Sequence, residues 1–429
     1  MSRRGLRILF TAYRGNMHCG GQGVYLWFLA RSLARLGHRV EVLVGPPYPD
    51  PMPFADRVEQ VENLEFWAGW FARDVARRVA GRGPAVLGPL HFYELTASRL
   101  GFLPEPFAFS VRAFRAAVRR LREGARFDLV HDVQSLGWGL LGIRALGLPV
   151  VSTVHHPLTV DREASFARDR SLRDAVGTVQ FYPLGMQRAV ARRLDAVLTS
   201  SPASASRLER DFRIPRSRLH MVWNGIDTEL FCPDPAADRV PGQILCVGRA
   251  SDPNKGIPIL VEALARVPPP ARLVLVDSDH PDSPARRRAR ELGVEDRIAF
   301  TGRVPIRTLV ELYRRSRVVV VPSLYEGFGL PAVEALACGT PVVATRAGAL
   351  PDVLEAVGGG LLVPPGRPEP LARALAELLE RPAQAEELGR RARKEVAARF
   401  SWDRIAAATE EVYRAVLDRG RPARMTTSA

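Results

Sequence analysis

Short apolar and β-branched runs alternate with longer amphipathic stretches along almost the whole chain. An uninterrupted apolar run is typical of a strand buried on both faces, and the intervening stretches are typical of helices. The predicted strands are residues 6–10, 39–44, 129–131, 150–154, 196–199, 243–247, 272–276, 298–300, 318–321 and 342–344. Because strands that alternate with helices form parallel sheets, we expect an α/β protein with enough strands for two such sheets.

Residues 233–242 interrupt this alternation with three prolines, a glycine and two aspartates, a composition typical of a linker. We therefore predict an N-terminal domain at 1–232 and a C-terminal domain at 243–402. A final helix and tail at 403–429 are expected to return to the N-terminal domain. Ligands of open parallel sheets bind beyond the carboxyl ends of the strands, so candidate chemistry is expected directly after each strand.

The composition narrows the class of protein. Of 429 residues, 46% are hydrophobic and 25% charged, which favours large folded cores over disorder. No segment is apolar enough to span a bilayer, and the first apolar run is too short for a signal peptide. The cysteines, at positions 19, 232, 246 and 338, lack the paired spacing of a zinc site or disulfide framework. We expect a cytoplasmic protein without a zinc site or a disulfide framework.

The formal net charge is +15, and only Lys255 and Lys394 are lysines. Such a surplus fits nucleic acid, an anionic membrane, a phosphorylated substrate, or simply solvated helix surfaces. A predicted helix at 111–125 has an apolar face formed by Val111, Phe114, Val118 and Leu121. Its basic face is formed by Arg112, Arg115, Arg119, Arg122 and Arg126. This pattern favours an outer helix with a solvated face, and peripheral contact with an anionic membrane is the alternative.

A glycine-rich loop containing Gly20 and Gly21 follows the first predicted strand and precedes an amphipathic helix. Glycines at such a turn let backbone N–H groups approach an anion at a helix N-terminus. A tight structural turn is the competing interpretation. The sequence does not match the GxGxxG dinucleotide fingerprint, and no acidic residue ends the second strand.

A second loop, at 248–256, follows the strand at 243–247 and contains Arg249 and Lys255. An arginine fork and a lysine point charge beside two glycines suit a diphosphate. Solvated loop charges are the alternative. This alternative fits Arg249 better than Lys255, because lysine is so scarce in this chain.

The strongest signals lie in residues 322–341, where a strand leads through a glycine-rich turn into a helix. Glu326 lies on the turn and Glu334 about one turn into the helix, so the two carboxylates flank the helix start. Carboxylates accept hydrogen bonds from sugar and ribose hydroxyls. The backbone N–H groups expected to point toward a ligand belong to Phe328, Gly329 and Leu330. A glycosidase pair, or a helix-capping Glu326 beside a solvated Glu334, is the alternative.

Residues 322–341 closely resemble the donor-binding signature of retaining glycosyltransferases of family 4, which have the GT-B fold of two Rossmann-like domains facing a cleft. The family motif is Glu, seven residues, Glu, and here it runs from Glu326 to Glu334 around Gly-Phe-Gly-Leu-Pro. Further family motifs occur in order at 20–23, 224–227, 249 and 255, 301–304, and 338–342.

The resemblance implies roles for the matched residues. Glu326 would hold hydroxyls of the donor sugar, and Glu334 would hold the nucleotide ribose. Arg249 and Lys255 would neutralise the diphosphate leaving group. Backbone contacts would come from Phe328, Gly329 and Leu330 near the sugar and phosphate, from Val304 near the base, and from Gly20 and Gly21 of the other domain near the phosphate. The loop at 276–279 lacks the glycine turn that the family often has there.

A histidine, His155, follows the strand at 150–154. The family often places a histidine here on the acceptor side, where an imidazole can hydrogen-bond a hydroxyl. The neighbouring His156 and the earlier His131 are competing candidates, and either could be a packing residue.

Together with the resemblance, these features predict a glycosyltransferase, which the resemblance implies to be retaining and to need no metal or other cofactor. It would move a sugar from a nucleotide diphosphate sugar to an acceptor hydroxyl on a lipid, polysaccharide or small metabolite. The alternatives are a non-catalytic nucleotide-sugar- or membrane-binding protein with the same fold and, less favoured, a nucleic-acid-binding protein. We expect a monomer or homodimer that binds no nucleic acid and is cytoplasmic or peripheral at the inner face of the membrane.

Overall fold

The computed structural model describes residues 4–16, 21–63, 88–155, 157–166, 171–249, 252–277 and 282–419. The chain divides into two compact units. Unit 1 consists of Met1–Ser200, Ala205–Val222 and Ile405–Ala429, and unit 2 of Ser201–Ser204 and Trp223–Arg404. The main division falls after Val222, earlier in the chain than the linker predicted at 233–242.

Unit 1 is built on a seven-stranded parallel sheet with the strand order β3-β2-β1-β4-β5-β6-β7. The strands are β1 (Arg7–Ala12), β2 (Arg39–Val44), β3 (Arg57–Gln60), β4 (Leu129–Val133), β5 (Val150–Thr153), β6 (Ala196–Thr199) and β7 (Leu219–Met221). The helices are α1 (Gly21–Arg35), α2 (Pro89–Arg99), α3 (Glu105–Arg122), α4 (Gly139–Ala145), α5 (Leu158–Phe166), α6 (Leu172–Phe181), α7 (Leu184–Ala191) and α8 (Pro202–Arg207), the last of which continues into unit 1 from unit 2.

Unit 2 has a six-stranded parallel sheet with the order β10-β9-β8-β11-β12-β13. The strands are β8 (Gln243–Val247), β9 (Arg272–Val276), β10 (Ile298–Phe300), β11 (Val318–Val321), β12 (Val342–Thr345) and β13 (Gly360–Val363). The helices are α9 (Ile257–Leu264), α10 (Pro284–Glu291), α11 (Ile306–Arg315), α12 (Leu330–Ala337), α13 (Leu350–Val357), α14 (Pro368–Glu380), α15 (Pro382–Phe400) and α16 (Trp402–Arg419). The prediction of an α/β protein with two parallel sheets is confirmed.

The ten predicted strands are all present, and the sequence missed three. The missed strands are β3, β7 and β13, and each lies at the edge of its sheet. Edge strands are covered less completely than central ones, so their sequences need not be uniformly apolar. This accounts for β3 and β7, which carry polar residues, whereas β13 is a short apolar run that begins with Gly360. In β3 no residue is buried, whereas every residue of β11 is buried.

Residues 223–232 pack with unit 2. The Trp223 ring lies 5.3 Å from the Phe400 ring and 6.2 Å from that of Phe328, centroid to centroid. Ile226 also forms an isolated parallel bridge with Ser401. Aromatic packing of this kind buries a large apolar area, which accounts for the early division between the units.

The last helix, α16, contributes most of its length to unit 1. The Tyr413 hydroxyl hydrogen-bonds His131 Nδ1, and the Glu410 carboxylate lies 3.5 Å from His38 Nε2. Tyr413 and His131 are both fully buried. The helix therefore joins the core of unit 1 through polar as well as apolar contacts.

Helix α3 differs from its prediction in bounds and in the face it buries. It begins earlier because Pro106 fits a first helical turn, and it ends before Gly124, which has φ 89°. Its buried face is largely alanine, including Ala108, Ala113, Ala116 and Ala117. Val111, Phe114, Val118 and Leu121, predicted to form the apolar face, are only half-buried.

The basic face of α3 is partly neutralised. Both terminal nitrogens of Arg112 donate to Glu94 at 2.6 Å, and Arg119 pairs with Glu59. Arg115 and Arg122 are exposed. In the part of the chain that the structure describes, no helix is long and apolar enough to cross a membrane.

A buried carboxylate, Asp132, joins the central strands of unit 1 at their carboxyl ends. It accepts hydrogen bonds from Thr11 Oγ1 (3.1 Å), Ser152 Oγ (2.8 Å) and the N–H groups of Ser135 (2.9 Å) and Leu136 (3.2 Å). Burial raises the pKa of Asp132, and these donors oppose that shift. The carboxyl group therefore links β1, β4, β5 and the loop that follows β4.

Replacing Asp132 with alanine leaves several buried donors without an acceptor, so we expect a loss of about 2–4 kcal/mol in unfolding free energy. Asp128→Ala is the matched control, because Asp128 also accepts a backbone N–H but its side chain is 34% exposed. Thermal unfolding followed by circular dichroism should rank Asp132→Ala well below Asp128→Ala in Tm. The reverse ranking contradicts the anchoring role of Asp132.

Candidate functional site

The loop after β11 leads directly into helix α12. Gly329 precedes the helix with φ 91°, and a Cβ at this position would lie 2.6 Å from Leu350 Cδ2. Both the backbone conformation and the close approach therefore favour glycine. The first N–H groups of an α-helix have no acceptor within the helix, which leaves the start of α12 suited to an anion.

The structure brings two predicted ligand residues together. Lys255 Nζ lies 2.8 Å from Glu326 Oε2, and Ser323 Oγ donates to the same oxygen at 3.1 Å. The side chains are 28% exposed for Lys255 and 14% for Glu326. A half-buried cation and anion thus compensate each other while both remain accessible to a ligand.

The loop after β8 positions Lys255. Asp252 accepts a hydrogen bond from the Asn254 N–H, and a short 3₁₀ turn follows. Gly256 ends that turn with φ 61°, where a Cβ would lie 2.1 Å from the Pro322 carbonyl oxygen. The Leu324 N–H donates to the Asn254 carbonyl at 2.7 Å. Since β8 and β11 are neighbours in the sheet, their loops converge at one edge.

The backbone of Glu326 is fixed as well. Its carbonyl accepts a hydrogen bond from the Ala349 N–H at 2.9 Å. A Cβ on Gly348 would lie 2.0 Å from the same oxygen, so only glycine permits this approach. The loop after β12 therefore supports the loop that carries Glu326.

Glu334 lies in a different environment. Its Oε2 accepts a 2.6 Å hydrogen bond from the Tyr313 hydroxyl, and the residue is half-buried. Burial raises the pKa of Glu334 to about 7, and the bond from Tyr313 opposes this shift. The carboxyl group therefore changes charge near neutral pH.

The other predicted donor-side residues have mixed surroundings. Arg249 is exposed, and its guanidinium has no hydrogen-bond or ion-pair partner among the residues that the structure describes. The Phe328 side chain is buried beside Phe400, with 5.8 Å between ring centroids, so only its backbone could meet a ligand. Leu330 and Val304 are half-buried and pack against the core of unit 2.

Gly20 and Gly21 of the first loop were predicted to approach the donor phosphate. Gly20 lies outside the described residues, and Gly21 is the first residue of α1. Gly23, in the first turn, is buried, and a Cβ there would lie 2.2 Å from the Asn16 carbonyl oxygen. The start of α1 therefore packs closely against the loop after β1.

His155 lies at the carboxyl edge of the unit 1 sheet. Its backbone N–H donates to Gln134 Oε1 at 2.9 Å, and its ring packs edge-on against Tyr25 at 4.7 Å. The residue is half-buried. Gln134 has φ 55°, an uncommon conformation for a residue other than glycine and one often found at functional sites.

His131 is a core residue. It is fully buried, and its Nε2 hydrogen-bonds Thr153 Oγ1 at 2.8 Å. Burial lowers the pKa of His131 to about 3, so the ring is neutral. The packing interpretation therefore holds for His131, and the third candidate, His156, lies outside the described residues.

Sequence reasoning missed three residues beside the predicted ones: Tyr313, Ser323 and Gln134. Ser323 lies just after β11 and could have been found as a hydroxyl at the carboxyl end of a strand. Tyr313 lies on the helix before β11, and only the tertiary structure brings it to Glu334. In the described ranges, no three His, Cys, Asp or Glu side chains lie close enough together to hold a metal ion.

Comparison with known proteins identifies the family. The family model described as Glycosyl transferases group 1 matches residues 233–395, and Glycosyltransferase Family 4 matches residues 19–230. An "MMP alpha-(1->4)-mannosyltransferase" of Mycolicibacterium hassiacum is 39% identical over 96% of this chain and 99% of its own length. The chain belongs to glycosyltransferase family 4.

Other relatives agree on the class of enzyme and the fold. A D-inositol 3-phosphate glycosyltransferase of Xylanimonas cellulosilytica is 31% identical over 96% of this chain and 95% of its own length. Sucrose-phosphate synthase from Thermosynechococcus elongatus has a TM-score of 0.71 at 26% identity, covering 97% of this chain and 100% of that chain. HepE from Anabaena in complex with UDP-glucose has a TM-score of 0.67 at 20% identity, covering 96% of this chain and 100% of that chain.

This family 4 member is therefore a glycosyltransferase of the GT-B class, with one Rossmann-like sheet in each unit. The predictions of the fold class and of the enzyme class are both confirmed. The residues matched by the first of these family models include Lys255, Glu326 and Glu334.

Because burial raises the pKa of Glu334, we expect the free energy of unfolding of the protein to depend on pH. Between its unfolded pKa of 4.5 and its folded pKa of about 7, the folded chain holds a proton that the unfolded chain releases. Stability from this group is therefore present below pH 4.5 and is lost as pH rises to about 7. Since glutamine cannot ionise, we expect Glu334→Gln to have a higher Tm than the wild type above pH 7, and the difference to shrink toward pH 5.

The control for this measurement is Glu395→Gln, because Glu395 lies on an exposed helix surface with its side chain 48% exposed. Thermal unfolding at half-unit steps from pH 5 to 9 compares the three proteins. A Tm difference that does not depend on pH, or that shrinks above pH 7, contradicts the buried-acid interpretation.

Proposed function

We propose that this glycosyltransferase moves a mannosyl group from a nucleoside diphosphate mannose to the 4-hydroxyl of an acceptor sugar, giving an α-linked product. The observation that carries this proposal is the 39% identity, over almost the whole of both chains, to a relative named as an α-(1→4)-mannosyltransferase. The named D-inositol 3-phosphate glycosyltransferase of Xylanimonas is less similar, at 31%.

The donor would bind at the carboxyl edge of the unit 2 sheet. Lys255 and Arg249 would compensate the charge of the diphosphate, Glu326 would accept hydrogen bonds from sugar hydroxyls, and Glu334 would accept them from the ribose. Backbone at Gly329 and Leu330 would meet the sugar and phosphate, and backbone at Val304 would meet the base. The half-buried Lys255–Glu326 contact of 2.8 Å supports this assignment, because it holds a cation beside a hydroxyl acceptor.

The reaction would break the bond between the anomeric carbon and the diphosphate oxygen. A new bond would form from the acceptor oxygen on the same face of the sugar, so that the anomeric configuration is retained. The acceptor proton would pass to the departing diphosphate. His155 would orient a hydroxyl at the acceptor side. Cations fixed before the reaction would stabilise the leaving group without a metal ion.

The activity test is a screen of nucleotide sugars by ligand-induced rise in Tm, followed by an assay of nucleoside diphosphate release. We expect stabilisation by GDP-mannose or another nucleoside diphosphate mannose, and turnover with a mannoside that has a free 4-hydroxyl. Turnover should be unchanged by EDTA. Preference for D-inositol 3-phosphate as acceptor contradicts the proposed acceptor, and binding without release with any acceptor favours a non-catalytic protein.

Lys255→Ala should lower kcat/KM by roughly a hundred- to a thousandfold, since it removes a fixed charge from the leaving-group site. The matched control is Lys394→Ala, which removes the other lysine of the chain from an exposed position on α15. Equal turnover of the two variants rules out the diphosphate role of Lys255.

Glu326→Gln should lower kcat more than it weakens nucleoside diphosphate binding. An equal loss of both contradicts the contact between Glu326 and the sugar.

A cytoplasmic location, a monomeric or dimeric state, and peripheral contact with an anionic membrane stay predictions from the sequence. For the membrane contact, the exposed Arg115 and Arg122 on α3 are the residues available. The ion pairs of Arg112 and Arg119 leave less free charge on this helix than its sequence suggested.

A further inference from the structure

Tyr313 makes a polar contact inside the core of unit 2. The residue is fully buried on α11, and its hydroxyl donates to Glu334 Oε2 on α12 at 2.6 Å. Burial and the neighbouring Glu334 charge raise the pKa of Tyr313 well above its usual value, so the phenol keeps its proton. The direction of the bond is therefore fixed, with Tyr313 as donor and the carboxylate as acceptor.

The surroundings of Tyr313 leave its side chain little freedom. Its ring packs edge-on against Phe231, with 6.0 Å between the ring centroids. Its backbone carbonyl accepts a 2.7 Å bond from Thr340 Oγ1, which in turn accepts a 3.0 Å bond from Arg239. A close-packed side chain of this kind holds its polar atom in one place.

The Glu334 carboxylate still has hydrogen-bonding capacity. Oε2 is occupied by Tyr313, and no other described residue donates a hydrogen bond to this carboxylate. A carboxylate offers about four lone-pair positions, so a ligand can be accepted at the remaining ones. Because Glu334 is half-buried rather than enclosed, these positions can meet a hydroxyl group.

We propose that Tyr313 is a positioning residue for donor recognition, which fixes the Glu334 carboxylate so that it accepts hydrogen bonds from the vicinal 2′- and 3′-hydroxyls of the donor ribose. This inference rests on the proposed function, in which Glu334 receives the ribose. The hydrogen bond from Tyr313 holds the Glu334 carboxylate in one orientation. The Glu334 side chain therefore loses less conformational entropy when the diol binds, and the diol binds more tightly.

A second effect of the Tyr313 hydroxyl acts in the same direction. Burial favours the neutral form of Glu334, and the bond from Tyr313 favours the charged form. The charged form is the stronger acceptor for hydroxyl groups. Without the hydroxyl, Glu334 would be less well oriented and would be charged over a narrower range of pH.

The test measures the affinity of the full-length chain for GDP and 2′,3′-dideoxy-GDP by calorimetry at pH 8, with UDP and 2′,3′-dideoxy-UDP in parallel. The ratio of the two affinities reports the ribose hydroxyls alone. We expect Tyr313→Phe, which keeps the ring, to lower the wild-type ratio about tenfold and to leave dideoxy binding within twofold. Glu334→Gln should lower the ratio at least as much.

A double variant that combines Tyr313→Phe with Glu334→Gln distinguishes a positioning role of Tyr313 from a packing role. If Tyr313 acts through Glu334, the combined variant matches Glu334→Gln alone, whereas independent effects add. The matched control is Tyr413→Phe, which deletes a buried hydroxyl in unit 1 and should keep the wild-type ratio. Thermal unfolding verifies that each variant is folded.

Several outcomes overturn the inference. Additive effects, or an equal loss for ribose and dideoxyribose ligands, assign Tyr313 a packing role only. A ratio that falls in Glu334→Gln but not in Tyr313→Phe overturns the inference and leaves the proposed function intact. A wild type that binds none of the four nucleotides refutes the proposed function itself.

If Tyr313→Phe does not fold, 3-fluorotyrosine introduced at position 313 replaces it in the test. This residue keeps the hydroxyl and almost the same shape but is a stronger donor. The affinity ratio should then rise above that of the wild type, and an unchanged or lower ratio overturns the inference.

Discussion

The salt bridge between Lys255 and Glu326 joins the two loops on which the candidate site depends. These loops follow neighbouring parallel strands, so the topology of the sheet brings them to one edge. Gly256 lets the first loop approach the second, and Gly348 lets a third loop support Glu326 from behind. The result is a cation and a hydroxyl acceptor held 2.8 Å apart.

The two partly buried carboxylates of this site, Glu326 and Glu334, each need donors or an opposite charge beside them. Taking a carboxylate out of water costs free energy unless donors or an opposite charge replace the water. Glu326 is compensated by Lys255 and Ser323, whereas Glu334 has only the Tyr313 hydroxyl among the residues described. The raised pKa of Glu334 follows from this difference. A ribose diol would supply further donors to Glu334, the carboxylate of this pair that accepts fewer hydrogen bonds from the described residues.

In unit 1, hydrogen bonds between buried side chains join the central strands of the sheet. Asp132 collects donors from β1, β5 and the loop after β4, and His131 bridges Thr153 and Tyr413. These contacts fix the loop that carries Gln134, which in turn binds the His155 backbone. The backbone of His155, the predicted acceptor-side residue, is therefore held by this hydrogen-bonded network.

The sequence predicted the central strands well because a strand buried on both faces must be uniformly apolar. Three edge strands escaped prediction. β3 and β7 carry polar residues such as Glu59 and His220, which half-covered strands tolerate, whereas β13 is a short apolar run that begins with a glycine. Glu326, Lys255 and Glu334 were predicted because they follow strands or begin a helix in a recognisable spacing. Their mutual contacts, and the bond from Tyr313, depend on how α11 and three loops pack, which local sequence does not encode. For the same reason the alanine face of α3 was missed, because helix periodicity alone cannot tell which apolar face is covered.

The central claim is that Lys255 meets the donor diphosphate at the carboxyl edge of the unit 2 sheet. Phosphorus NMR of GDP-mannose titrated with the protein tests it most directly, because the two phosphorus signals report the charge beside each phosphate. We expect both signals to shift on binding to the wild type and to Lys394→Ala. In Lys255→Ala, at a concentration that saturates binding, at least one of these shifts should be strongly reduced. Identical shifts in all three proteins would rule out a contact between Lys255 and the diphosphate.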